Sequence, residues 1–471
     1  MAFINTRKAT GPGTIKNIQI FSNTEPNKSV YLTDLIIDSF KYYESLFQDV
    51  IHASVTYIDS GGTIKAKGGR ELTTAVAGLP ITGSEKVNLL FQDPNEEEIE
   101  VTLYVNNVTE IIVDSTKSMV TLSMNSIEMF NNDKIRLNRR FDGKISDHIE
   151  KILKGGKSET GDSLETEKVV DIEKTVGEYN KALTIKKPFY MMNYFSTRAV
   201  PEGGQGNSAG FLLWETSEGF HFKSIDKLFG QKEKRKIIFN ETPGNPPAGY
   251  DIKALTFAKE NRNDIKSKFE QGTYATRLIT FDPFTCNYEV SYLNVGNKKQ
   301  SGTKQKGNED TLNKAAENMP KLSTDIKSAK GGQNDFSRTT FNVLDTGSIP
   351  QGKTKSGVDQ TDDRTGGNEQ VEKKEDKNAK PGETLNQAIM RLNQMNTMKI
   401  SMTLPGDFTL HAGDSVKVDS PQLSAARQSR KRQRVDNQTG GLYIIRDLCH
   451  YMTKDVTYTK INVIRDSFDK K

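Results

Sequence analysis

The chain has 471 residues, 34% hydrophobic content and a formal net charge of +5, with two cysteines. That length suits two to four domains, and the low apolar content implies either much solvated loop or small cores completed by assembly. The mild basicity is spread over many acids and bases and is weak support for nucleic acid, while Cys286 and Cys449 lie too far apart in sequence to indicate a disulfide framework, which fits a reducing compartment.

Residues 1–14 read as a flexible polar arm without a signal-peptide segment. From Ile15 to Phe130 the pattern is β. Val87, Leu89 and Phe91 alternate with polar or mixed neighbours. After the polar break at Pro94–Glu98, Ile99, Val101, Leu103 and Val105 alternate again, as a hairpin with one buried face does. A short helix is expected near Leu32–Phe47. The apolar run Ile111-Ile112-Val113 is far shorter than the ~20 residues of a membrane span.

Residues 131–229 read as a mixed α+β domain. Ile145, Ile149, Ile152 and Leu153 share one helical face, with Ser146 or Asp147 as the cap and Gly155-Gly156 as the stop. Pro188 suits the first turn of a second helix, Phe189–Ala199. A hairpin turns at Ser217-Glu218 and carries the single tryptophan, Trp214, expected in a core or interface. Residues 230–271 read as a connecting segment, helical over Ala254–Phe269. Asp282-Pro283 turns another hairpin, Thr273–Leu293.

Residues 296–382 are rich in Lys, Gly, Asn, Asp, Thr and Ser, and read as a polar, disordered insertion with one apolar island at Phe336–Leu344. Leu385, Ala388, Ile389 and Leu392 then mark an amphipathic helix. Strands follow at Met398–Leu404, Phe408–Leu410, Val416–Val418, Gly441–Tyr451 and Tyr458–Asp466. In the last, Ile461 and Val463 alternate with Lys460 and Asn462. Residues 272–295 and 383–466 are expected to share one sheet.

Few motifs carry chemistry. Gly347–Thr354 has the spacing of a phosphate-binding loop and opens an alternative reading as a nucleotide-binding protein. Pro350 removes an amide from that cradle, however, and no apolar helix face follows it. Arg427–Arg434, with Arg430, Lys431 and Arg432 at its centre, is the densest basic cluster. It reads as a solvated loop, a partner contact or, alternatively, a nucleic-acid contact. Glu96, Glu97 and Glu98 read as a solvated hairpin tip or an electrostatic contact with a partner. The five histidines show no metal-ligand spacing, and no triad can be assembled, so no catalytic, cofactor or metal site is nominated.

Taken in order, Gly83–Phe91 with Ile99–Val105, Phe189–Ala199, Ala209–Leu228, Gly272–Tyr288, Gly441–His450 and Tyr458–Asp466 resemble the central baseplate hub protein of contractile-tailed phages. The resemblance covers most of the chain outside residues 296–382. It implies a mainly β fold with α+β parts, containing two tail-tube-like β-barrel domains and an outer mixed domain. The first tube-like domain would span 15–130, completed by 236–240, and the second 272–295 with 383–466. It further implies a non-enzymatic homotrimer, made in the host cytoplasm and resident in the virion tail baseplate. The implied partners are the tail-tube protein, the spike, other baseplate proteins and the tape-measure protein. Such a trimer presents six tube-like domains to a hexameric tube and three-fold symmetry to the spike.

Overall fold

The structure is a computed structural model. It describes residues 11–466 apart from 26–27, 63, 66–71, 115–116, 156–161, 182–184, 203–207, 241–244, 262–263, 284–285, 295–321, 324–336, 346–377, 379–380, 422–434 and 437. The chain is mainly β with α+β parts. Its dominant element is a 14-stranded sheet that runs through two β units.

The first β unit comprises Thr14–Phe21, Ser29–Tyr31, Ile36–Ser45, His52–Asp59, Lys86–Gln92, Glu98–Ile112 and Ser118–Asn125. Strict alternation drives these strands. Val87, Leu89 and Phe91 lie directly opposite Leu103, Val101 and Ile99, and all six side chains are buried. The expected helix at Leu32–Phe47 is instead a 3-10 turn, Leu32–Asp34, followed by the Ile36–Ser45 strand. Phe40, Tyr42 and Glu44 have a two-residue period, and their side chains enter the core together.

The second β unit comprises Arg235–Ile238, Ile252–Lys253, Thr256–Asn261, Met398–Pro405, Ser415–Asp419, Gly441–Met452 and Thr457–Arg465. Its core holds Ile400, Met402, Val418, Ile445, Ile461 and Val463. The expected order of faces in the last strand is observed: Ile461 and Val463 are buried, while Lys460 is exposed. The units meet where Gly441–Met452 pairs antiparallel with Ile36–Ser45, from Asp447 opposite Ser45 to Met452 opposite Phe40. Met452 and Phe408 complete the first core.

Three expectations about this region are corrected. Arg235–Ile238 does not complete the first unit. It lies between Ser415–Asp419 and Ile252–Lys253, both parallel to it, because Ile237 is covered there by Val418 and Ile252. The 230–271 segment is therefore part of the second unit's sheet. Within it Thr256–Asn261 is a strand paired to Met398–Pro405, and only Ile265–Glu270 is helical. Cross-strand partners here override the helical pattern.

Contrary to expectation, the hairpin of Ala275–Asp282 and Asn287–Asn294 does not share the second unit's sheet. It lies outside the main sheet, in a separate three-stranded sheet whose other edge is filled by Arg338–Val343, from the stretch read as an insertion. The helix Pro381–Met395 packs on this small sheet, with Met390 against Leu293.

The mixed domain is built on Ile145–Lys154, Pro188–Ser196 and the hairpin of Phe211–Thr216 with Gly219–Ser224. Ile145, Ile149, Ile152 and Leu153 are buried together with Phe195, Phe220 and Phe222. The helix cap is Lys144 rather than Ser146 or Asp147, and the helix ends at Gly155, whose φ of 80° an L side chain adopts with strain.

Candidate docking surface

The acidic tip joins the Lys86–Gln92 and Glu98–Ile112 strands. Glu96, Glu97 and Glu98 are all exposed, and Glu98 pairs with Lys16. Below them the tip is tied down. The buried Asp93 carboxylate accepts from the amides of Asn95 (2.7 Å), Glu97 (2.9 Å) and Phe408 (3.2 Å). Asn95 donates to the Gly406 carbonyl at 3.2 Å. The tip is thus anchored to the second unit, and it presents acidic side chains beside the seam. Arg430, Lys431 and Arg432, the rest of Arg427–Arg434, and Gly347–Thr354 lie outside the described residues. At the base of the basic stretch Pro421 and Val435 form a bridge, and the Asp436 amide donates to the Ser420 carbonyl at 2.9 Å.

Two exposed apolar patches accompany the tip. Ile111, Ile112 and Val113 stand out at the far end of the long Glu98–Ile112 strand, with Ile112 76% exposed. On the small sheet Phe281 lies between Tyr288 and Val343, and Phe341 lies opposite Ile279. Tyr288 and Phe341 are 72% and 75% exposed. Contiguous uncovered apolar side chains of this kind mark interaction surfaces.

A set of buried charges ties the junctions between the units, and reading the sequence missed it. Glu44, from the first unit, accepts from Tyr42 Oη (2.9 Å), the Ser217 amide of the mixed domain (3.0 Å) and the Ala412 amide of the second unit (3.0 Å). His411 Nδ1 lies 3.3 Å from the same carboxylate. Burial alone would raise the Glu44 carboxyl, but His411 and the two amides outweigh it and hold the pKa at about 2.

A second node joins the mixed domain to the first unit. Lys168 Nζ lies 2.7 Å from Glu128 and 2.6 Å from Glu215, and Glu215 also accepts from Ser126 Oγ and the Ile51 amide. Burial raises the Glu215 pKa despite Lys168, and the paired carboxylates raise that of Lys168 against its own burial. At the third node Arg391 bridges Asp226 and Asp466, both at 2.9 Å. One signal was present in sequence: Glu44 continues the buried phase of Phe40 and Tyr42 in its strand.

Trp214 lies between these nodes, 2% exposed, donating from Nε1 to the Ala412 carbonyl at 3.0 Å. Among the described residues no group of three His, Cys, Asp or Glu side chains could hold a metal ion. Nor is any helix among them long and apolar enough to cross a membrane. The arrangement therefore offers a braced body with charged and apolar projections.

No protein-family model matches the chain, and no curated protein matches it in sequence. Among solved structures it is similar to a tail protein from Neisseria meningitidis MC58, at 8% identity and a TM-score of 0.48, over 96% of each chain. It is similar to the 43 kDa tail protein of prophage MuSo2 from Shewanella oneidensis, at 10% identity and a TM-score of 0.48, over 97% of this chain and 100% of that one. An E. coli protein described as a component of the type VI secretion system is similar over 97% of this chain and 77% of its own, at 8% identity and a TM-score of 0.39.

Proposed function

We propose that this chain is a structural subunit of a phage tail baseplate, a homotrimeric hub that joins a six-fold tail tube to a three-fold spike and performs no catalysis. The observation that carries the reading is the division of one 14-stranded sheet between two β units of a single chain, braced by buried ion pairs. Three copies would set six such units in a ring, which reconciles six-fold and three-fold partners. The tail-tube protein would meet one end of that ring and the spike the other. Other baseplate proteins would contact the projections, and the tape-measure protein would be a further partner. In this reading the protein is made in the host cytoplasm and ends in the virion tail, with Glu96, Glu97, Glu98 and the basic residues Arg430, Lys431 and Arg432 as contacts.

Native mass spectrometry of the chain, alone and with its spike, tests the stoichiometry. A trimer is expected in at least one of the two, and a strict monomer in both refutes the hub. Reversing Glu96 and Glu97 to Lys should weaken docking to the tube while leaving the melting temperature unchanged, because both side chains are solvated.

A further inference from the structure

We propose that His411 is a proton-operated latch that pins the Ser217-Glu218 turn of the mixed domain to the seam between the two β units. His411 is 7% exposed and lies between two carboxylates from different parts of the chain. Its Nδ1 is 3.3 Å from Glu44 on the Ile36–Ser45 strand, and its Nε2 is 3.7 Å from Glu218 in the turn. An imidazolium has two N–H groups and can face both carboxylates as a donor. A neutral imidazole has one, and must turn a lone pair toward one of them. A carboxylate at each ring nitrogen is therefore the arrangement of the protonated ring.

The surroundings support that state. Asp414, in the same loop, accepts the His411 amide at 2.8 Å and pairs with Lys234 at 2.8 Å. Lys234 opposes the charge on His411, while Glu44 and Asp414 favour it. Tyr42, on the same strand as Glu44, donates to Glu44. His450, from the Gly441–Met452 strand, is fully buried and neutral, its pKa pushed down to about 3 by burial. Burial by itself would lower the His411 pKa as well, but the Glu44 carboxylate overcomes it and the pKa is raised. A raised pKa makes this contribution complete below the ordinary histidine value of 6.5 and removes it as pH climbs through the folded value. The latch is thus closed below the ordinary histidine value and opens as pH climbs through the raised one. Two contacts would loosen first: that of His411 with the exposed Glu218, and through it the Ser217 amide on Glu44.

The chain carries its own reporter. Trp214 is the single tryptophan. It donates to the carbonyl of Ala412, the residue next to His411, and its ring stacks on His221 at 5.2 Å. The experiment is a fluorescence titration of the full chain from about pH 5 to about pH 9, in wild type and in His411→Gln, Glu218→Gln and His221→Gln variants. The wild type should show one step with its midpoint above about 6.5. His411→Gln should abolish the step, and His221→Gln should retain it. Glu218→Gln, at a side chain 63% exposed and so tolerant of change, should lower the midpoint by about 0.5 or more. This variant decides the matter even if His411→Gln folds poorly. A wild type without a step, a step that survives His411→Gln or disappears in His221→Gln, or an unmoved midpoint in Glu218→Gln overturns the latch.

Discussion

Replacing Val463 by Asp tests the frame on which the second β unit rests. Val463 is fully buried and lies directly opposite Ile400 on one neighbouring strand and Ile445 on the other. Trimming it to Ala removes two methyl groups, about 1.6 kcal/mol of transfer energy, and leaves a cavity, for a total of about 2–3 kcal/mol. Asp adds a carboxyl with no donor prepared for it, and the cost should reach about 4 kcal/mol or more, a large part of the ~5–15 kcal/mol that holds a typical domain together. Lys460 is the internal control. It lies on the opposite face of the same strand, exposed, with its ammonium 5.1 Å from the centre of the Tyr451 ring. Lys460→Asp forfeits that contact, about 0.5–1 kcal/mol. Urea unfolding followed by far-ultraviolet circular dichroism should therefore separate the two midpoints widely, with Val463→Ala between them. Equal midpoints for Val463→Asp and Lys460→Asp would refute the reasoning, because only a one-residue slip of the strand exchanges its faces.

Other outcomes follow from the junctions. Gly413 has a φ of 93°, and a Cβ there would come within 2.7 Å of the Trp214 ring, so Gly413→Ala should cost about 2 kcal/mol and shift the tryptophan emission. Arg391→Ala should cost about 3–5 kcal/mol by thermal melt, because it removes the guanidinium that faces the buried Asp466, and pairing Arg391→Met with Asp466→Asn should recover most of that loss. The Glu44 pKa lies at about 2, below its ordinary 4.5, so its contribution is present above about pH 4.5 and is lost as the pH falls toward 2. Acid unfolding of Glu44→Gln should accordingly be less steep across that window than unfolding of the wild type.

The sequence alone determined the strands and their faces wherever one side of a strand is buried and the other wet. Val87, Leu89 and Phe91, or Ile461 and Val463, declare a period of two that only a half-buried sheet satisfies. The helix Ile145–Lys154 and the hairpin around Ser217-Glu218 were legible for the same local reasons, an apolar stripe and a turn. Partnership between distant segments was not legible. Nothing in Arg235–Ile238 says that its neighbours are Ser415–Asp419 and Ile252–Lys253. Nothing in Ala275–Asp282 says that a strand from a polar stretch will occupy its edge. Such choices are made by which apolar surfaces fit once the chain has folded back, at separations where local pattern carries no information. The junction charges show the same division. Glu44, Glu128, Glu215 and Arg391 look like solvated residues in sequence, and charged side chains usually are. Tertiary structure turned them into buried ties, because only there do a lysine, a histidine or a row of backbone amides from other segments converge to offset the loss of water.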